Sequence, residues 1–223
     1  GITGAEWAII ALSLRVSLLA VLLSLPPAYA LAWLLARRRF PGRLLLDAAI
    51  HLPLVVPPVV TGWLLLLLFG RAGPVGGWLE EQFGITLVFR WTGAALAAAI
   101  MALPLMVRAM RLSIEAVDRR LVEAARVLGA SPWRAFLTIT LPLSAPGIAA
   151  GAMLGFARSL GEFGATITFA SNIAGETRTL PLAIYSGLQL PGAEAQVARL
   201  AVISIVLSIA ALLASELLVR RSA

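Results

Sequence analysis

Apolar residues in this chain fall in long blocks, and the blocks have the length of a bilayer. Runs at residues 7–36, 44–69, 91–107, 135–157 and 197–219 approach or exceed the roughly 20 residues a helix needs to cross about 30 Å of hydrocarbon. They predict five spanning helices. A sixth region, residues 163–190, is broken by Asn172, Gly175, Pro181 and Gly187. It predicts a partly inserted or outer-face segment, which leaves six spans as the alternative count. The fold class expected is all-α, a polytopic membrane helix bundle forming one transmembrane domain over residues 1–223.

Proline interrupts several of these runs: Pro26 and Pro27 in the first, Pro53, Pro57 and Pro58 in the second, Pro104 in the third, Pro142 and Pro146 early in the fourth. Each removes a backbone donor and kinks its helix, which a bundle tolerates where neighbours or a water path satisfy the freed carbonyls. In the fourth run Gly147, Gly151 and Gly155 recur every four residues and share one helix face. Such a face lets another backbone approach closely. The pattern predicts a packing seam, against either a helix of the same chain or a second copy.

One stretch breaks the apolar pattern. Val117, Leu121, Ala124, Ala125 and Leu128 fall at helical spacing, while Asp118, Arg119, Arg120, Glu123 and Arg126 cover the rest. This predicts a short amphipathic helix, too polar to enter lipid. Gly129 stands where a left-handed residue closes a helix, and Ser131 with Pro132 reads as the N-cap and first position of the next. The result is helix, tight turn, helix within residues 115–134. A unit of that kind either lies in the headgroups or docks on a soluble partner.

Composition narrows the function. The 223-residue chain is 60% hydrophobic and 13% charged, with a mean hydropathy of +0.94. It has no cysteine and one histidine, which excludes thiolate metal sites, disulfides and c-type haem attachment. No metal site is expected. All 18 basic residues are arginine, so there is no Walker A lysine, and neither a cofactor nor catalysis is expected in this chain. A net charge of +7 does not point to nucleic acid, because the arginines sit at the ends of the apolar runs. Arg37, Arg38, Arg39 and Arg43 follow the first run. Arg108, Arg111, Arg119, Arg120, Arg126 and Arg134 follow the third, and Arg220 and Arg221 the last. Positively charged loops stay cytoplasmic, so five spans put the N-terminus outside and the C-terminus inside. The first run is too long for a cleaved signal peptide and lacks a small-residue cleavage site, so it is expected to remain as a span.

Glu123-Ala124-Ala125, Gly129, Ile139, Leu141 and Pro142 reproduce the pattern EAA-x3-G-x9-I-x-L-P at all seven fixed positions. This resembles the loop by which permease subunits of ATP-binding-cassette (ABC) importers grip a separate ATPase. HLPLVVPPVVTGWLLL at 51–66, ARSLGEFGATITFASNI at 157–173 and GETRTLPLAIYSGLQ at 175–189 resemble the molybdate permease subunits of that class, over nearly the whole chain. Sulfate permeases share the general plan, and it is GEFGAT at 161–166 and GETRT at 175–179 that favour molybdate, with tungstate as a dianion of nearly the same size. The resemblance implies the type I ABC importer permease (MetI-like) fold and a homodimer in a bacterial or archaeal cytoplasmic membrane. It further implies two cytoplasmic ATPase subunits carrying ATP and Mg, and a periplasmic or lipid-anchored oxyanion-binding protein. Glu123, Ala124, Ala125, Leu128, Gly129 and Ser131 are then the ATPase-coupling residues.

Charged and polar residues elsewhere carry alternatives. Arg158 and Glu162 are spaced i, i+4 near the outer end of the fourth span. A lone arginine at the bilayer centre costs at least about 2.5 kcal/mol, so the two form a structural ion pair or lend positive potential to a dianion's route. Thr166, Thr168, Ser171 and Asn172 are candidates to line an outer mouth with neutral donors, whose weak contacts let an ion pass. Asp47 and His51 share a helix face, as a proton relay or as an interfacial anchor. Glu216 and Arg220 read as a snorkelling inner-face pair. A secondary transporter would call for an internal repeat and midplane charges, and no convincing repeat is present.

Overall fold

The computed structural model describes residues 1–221, and the last two residues of the expected domain lie outside them. Among the described residues every regular element is helical. The helix α1 (Gly4–Arg37) opens on a capping box, in which the Thr3 hydroxyl accepts the Glu6 N–H and the Glu6 carboxylate accepts the Thr3 N–H. It continues through Pro26 and Pro27 to the first arginine cluster.

The second apolar run is not one helix. Pro57 and Pro58 remove consecutive donors and drive the preceding residue out of the helical region, and Val56 is accordingly extended, at φ −69° and ψ 138°. The run divides into α2 (Arg43–Val55) and α3 (Pro58–Phe69), bent by 115°. The straight span expected over residues 44–69 is therefore a broken one. A short α4 (Pro74–Phe83) leads to α5 (Trp91–Glu115), and α6 (Arg119–Val127) and α7 (Pro132–Ala135) follow. A π-helical turn over Phe136–Thr140 joins α7 to α8 (Leu141–Leu160). The weak sixth region holds only α9 (Gly164–Phe169) and α10 (Leu180–Leu188), both too short to cross, before the long α11 (Glu194–Arg220).

Helix directions set the number of crossings. Along α1 and α5, Arg15 lies over the Trp91 ring at 4.3 Å, the Ser24 hydroxyl donates to the Ala99 carbonyl at 3.4 Å, and Arg37 donates to the carbonyls of Ile114 and Val117 at 3.0 and 2.8 Å. The two helices are parallel. Parallel neighbours require the chain between them to return across the bundle, and the bent α2–α3 pair is that return. Counted as one span, it brings the candidate spans among the described residues from four to five. The sixth span is not formed.

The centre of the bundle is α5, whose apolar window is 67% buried, against 11% for α11 at the edge. Lipid tails are as apolar as leucine, so membrane helices associate through close packing of small residues more than through hydrophobicity. Alanines 94, 95, 97, 98, 99 and 102 on α5 are buried against their neighbours. The exposed Val202, Ile205, Val206, Ile209 and Leu213 of α11 suit a lipid-facing surface.

Candidate functional site

The helix α6 stands apart from this packed bundle, and its ends are fixed locally. The Asp118 carboxylate accepts the Arg120 N–H at 3.0 Å as N-cap. The Arg120 side chain, and then its N–H, hold that carboxyl below its ordinary value of 3.8. At the other end the Ala130 N–H donates to the Ala125 carbonyl and the Gly129 N–H to the Arg126 carbonyl, each at 3.0 Å. This is the Schellman arrangement, and it needs a left-handed residue at Gly129, where φ is 99°. Ser131 then caps α7, its hydroxyl accepting the Arg134 N–H at 3.1 Å, with Pro132 in the first position.

What this geometry displays is an apolar edge with nothing over it. Val127 and Leu128 are 87% and 89% exposed, and Leu121, Ala124 and Trp133 are exposed as well. The stripe read from the sequence is therefore only partly turned inward: Val117 is buried and Ala125 is half-buried, while Leu128 points away. Glu123 is exposed too, on the rim of a cleft of about 300 Å³ that it shares with Arg37, Arg38, Arg119 and Arg126. Beneath the turn, Phe136 of the π-helical segment stacks on Trp133 and meets Tyr29 and Trp33 of α1 edge-on, with centroids 5.5, 6.0 and 6.4 Å apart. A π-helical turn is a recurrent feature of functional positions. Here it is the joint between the exposed elbow and α8.

The glycine seam resolves to one of its two alternatives. Gly147, Gly151 and Gly155 are buried against α5 of the same chain. A Cβ on Gly147 would overlap the Cβ of Ser113, one on Gly155 would lie 2.6 Å from the Met106 sulfur, and one on Gly151 would reach only 3.3 Å from Met110. The elbow thus feeds directly into a closely packed helix pair.

At the far end of α8 the Arg158 guanidinium lies 2.8 Å from Glu162, whose side chain is only 2% exposed. Glu162 also accepts the Ala165 N–H at 2.9 Å and so anchors the start of α9. The pair thus ties the end of α8 to the start of α9. Thr166 is buried, and the Thr168 hydroxyl donates to the Gly164 carbonyl at 2.8 Å. Asn172 donates to the Ser186 hydroxyl and accepts from Arg178, at 2.7 and 2.8 Å. Ser171 takes a left-handed φ of 68°, and its carbonyl accepts the Thr177 hydroxyl. These groups knit the outer loop together.

Three sets of contacts were not read from the sequence. Buried Glu6 pairs with Arg199 at 2.6 Å and ties the start of α1 to the start of α11. Arg37 caps the end of α5, as above. Asp47, paired in the sequence only with His51 (3.1 Å), is also approached by Arg111 at 3.5 Å, and Arg111 is held by Glu115 at 2.9 Å. That network supports the anchoring role for Asp47 and His51. An acid and a base at the starts of two spans were the only visible signal for the first pair.

A family model described as "Binding-protein-dependent transport system inner membrane component" matches residues 28–223. The chain is 60% identical over 221 residues to the molybdenum transport system permease protein ModB of Escherichia coli (strain K12), covering 99% of this chain and 96% of that one. It is 58% identical over 216 residues to ModB of Haemophilus influenzae, covering 97% and 94%. The sulfate transport system permease protein CysT of Escherichia coli (strain K12) is 43% identical over 159 residues, covering 71% and 57%. Among solved structures, a bacterial ABC transporter involved in import of the acidic polysaccharide alginate superposes with a TM-score of 0.73 at 20% identity, over 98% of this chain and 80% of that one. The MetNI methionine ABC transporter gives 0.66 at 16% identity, over 97% and 94%. At such identities the structural likeness bears on the fold alone.

Proposed function

The chain belongs to the family of binding-protein-dependent transport system inner membrane components, and from that membership we propose that it is the permease through which an ABC importer moves molybdate into the cell. It is a multi-pass, all-helical membrane protein with the fold of type I importer permeases. One observation carries the substrate: similarity to molybdenum permeases runs nearly end to end at high identity, whereas that to the sulfate permease is lower and covers less of the chain. Tungstate, a tetrahedral dianion of nearly the same size, shares the path.

Two copies of the chain enclose that path between them, with the N-terminus outside and the arginine-rich ends cytoplasmic. Two ATPase subunits, which hold the ATP and Mg, grip the exposed edge of α6 through Glu123, Ala124, Ala125 and Leu128. Gly129 and Ser131 fix the elbow, and Phe136 couples it to α1 and α8. Nucleotide-driven approach of the ATPases swings α6, and the stiff α5–α8 pair carries the motion across the membrane. A periplasmic or lipid-anchored protein delivers the oxyanion to the outer mouth. The chain itself does no chemistry.

The test is uptake of labelled molybdate into vesicles reconstituted with the chain, its ATPase and its binding protein. Excess tungstate is expected to suppress uptake while excess sulfate leaves it nearly intact. Equal suppression by sulfate would move the assignment to a sulfate permease.

A further inference from the structure

Below the elbow, where α1 ends and α2 begins, Arg37, Arg38, Arg39, Arg43 and Arg119 line a cleft of about 430 Å³, together with Leu35 and Ala36. No carboxylate lines it. Among the described residues the arginines that form ion pairs are Arg90, Arg111, Arg120, Arg158, Arg199 and Arg220, none of them from this group. Glu115 acts on Arg37 from a distance, but it is held by Arg111 at 2.9 Å.

The five share out their donors unevenly. Arg43 donates to the Leu35 carbonyl and Arg119 to the Ala36 carbonyl at 3.4 Å, capping the end of α1, and Arg37 caps the end of α5. Helix carbonyl ends offset only about half a charge each. A guanidinium has five N–H donors, so most remain. Arg38 lies over the Trp33 ring at 5.5 Å, Arg39 has no side-chain partner, and the Nε of Arg43 is buried with no acceptor. Five like charges gathered with a buried, unfilled donor call for an anion with several acceptor oxygens, because planar guanidinium forks match such oxygens pairwise.

We propose that this cleft binds a tetrahedral oxyanion, the phosphodiester of an anionic lipid headgroup in the leaflet at the arginine-rich face. The cleft lies at a helix end, where headgroups sit, and arginines at that depth attract anionic lipid. A bound headgroup would join the ends of α1 and α5 to Arg119 at the root of α6, so lipid composition would bear on how firmly the elbow is held.

The experiment uses the full chain in nanodiscs of mixed phosphatidylcholine and phosphatidylglycerol, with retained lipids counted by native mass spectrometry. Arg38 and Arg39 cap no backbone carbonyl, so Arg38→Gln with Arg39→Gln removes charge and leaves the helix caps. Phosphatidylglycerol is expected to be enriched on the wild-type chain, and each arginine removed should weaken that enrichment about fivefold. The paired Lys variants keep the charge but lose the planar fork, so they should restore only part of it, and Arg71→Gln, at the opposite end of the bundle, should not change it. A second arm offers inorganic phosphate in phosphatidylcholine alone. A rise in thermal stability there, lost in the Gln pair, would keep the oxyanion site and assign it to a free ion. Equal lipid retention by wild type and the Gln pair, with no response to phosphate, would overturn the proposal. So would loss of ATPase binding in the Gln pair with lipid retention unchanged, because the cleft would then be a protein contact.

Discussion

The same residue type does opposite work in the α5–α8 seam and in the α6 elbow. At Gly147 the absent side chain is what matters, since any Cβ would overlap Ser113 on α5. At Gly129 there is open space, with nothing within 4 Å of a Cβ, and what matters is the φ of 99°. One glycine brings two helices together; the other turns the chain. The seam is buried, and at Gly147 the Ser113 side chain and the α5 backbone behind it leave no room, whereas the elbow is exposed and its bonds are local. Substitutions should therefore fail differently in the two places, the seam losing the bundle and the elbow losing only its connection to the motor.

The widest separation is expected from Gly147→Leu. Overpacking there should cost more than about 3 kcal/mol and leave little folded chain, read as thermal stability and monodisperse yield in detergent. Gly155→Ala should cost less because the Met106 thioether can turn, and Gly151→Ala should be close to neutral. A folded, active Gly147→Leu chain would break the comparison at once.

Ion pairs extend it from glycine to charge. Arg158–Glu162 and Glu216–Arg220 share the i, i+4 spacing, but the Glu162 side chain is 2% exposed and that of Glu216 is 61%. Removing one partner of a buried pair strands the other, so Glu162→Gln should cost about 2 kcal/mol by thermal unfolding after discounting for the partly exposed Arg158. Arg158→Gln combined with Glu162→Gln should cost less than Glu162→Gln alone. Glu216→Gln should fall within about 0.5 kcal/mol of wild type.

At the elbow, Gly129→Val forces a branched residue into the left-handed region at about 1–2 kcal/mol. The bundle should insert and fold, yet ATP hydrolysis should no longer drive uptake. Gly129→Asn, which tolerates that φ, should recover most transport. The smallest effect expected is acidic. The Asp118 carboxyl is held below its ordinary value by Arg120, so its cap on α6 is complete above that value and is lost as pH falls through the depressed one. Coupling measured down to mild acidity should therefore not change on account of Asp118, and Asp118→Asn should remove even the residual acid sensitivity.

Much of this was legible along the chain because it is local. Caps at Gly129 and Ser131 depend on neighbours within four residues, and apolar run lengths gave the spans; the cap at Asp118 is equally local, but the sequence placed that residue only on the polar face. The break at Pro57 and Pro58 was visible as lost donors, but not its angle. That angle is set by distant packing, with Gly62 against the Ala165 carbonyl and Gly164 against Pro58. Glu6 and Arg199 are 193 residues apart, beyond any periodicity. The bonds of Thr168 to Gly164 and of Asn172 to Ser186 and Arg178 were not visible along the chain. The periodicity of α6 found a stripe without saying that Leu128 faces outward.

The central claim is that the ATPase grips this bundle at the elbow. Because the chain has no cysteine, Leu128→Cys supplies a single thiol on the exposed edge, and its labelling by a water-soluble maleimide can be followed as the ATPase is added. Labelling is expected to fall sharply on assembly, and a short bifunctional linker from that thiol should capture the ATPase subunit. Undiminished labelling in a complex that still hydrolyses ATP and imports molybdate would contradict the account.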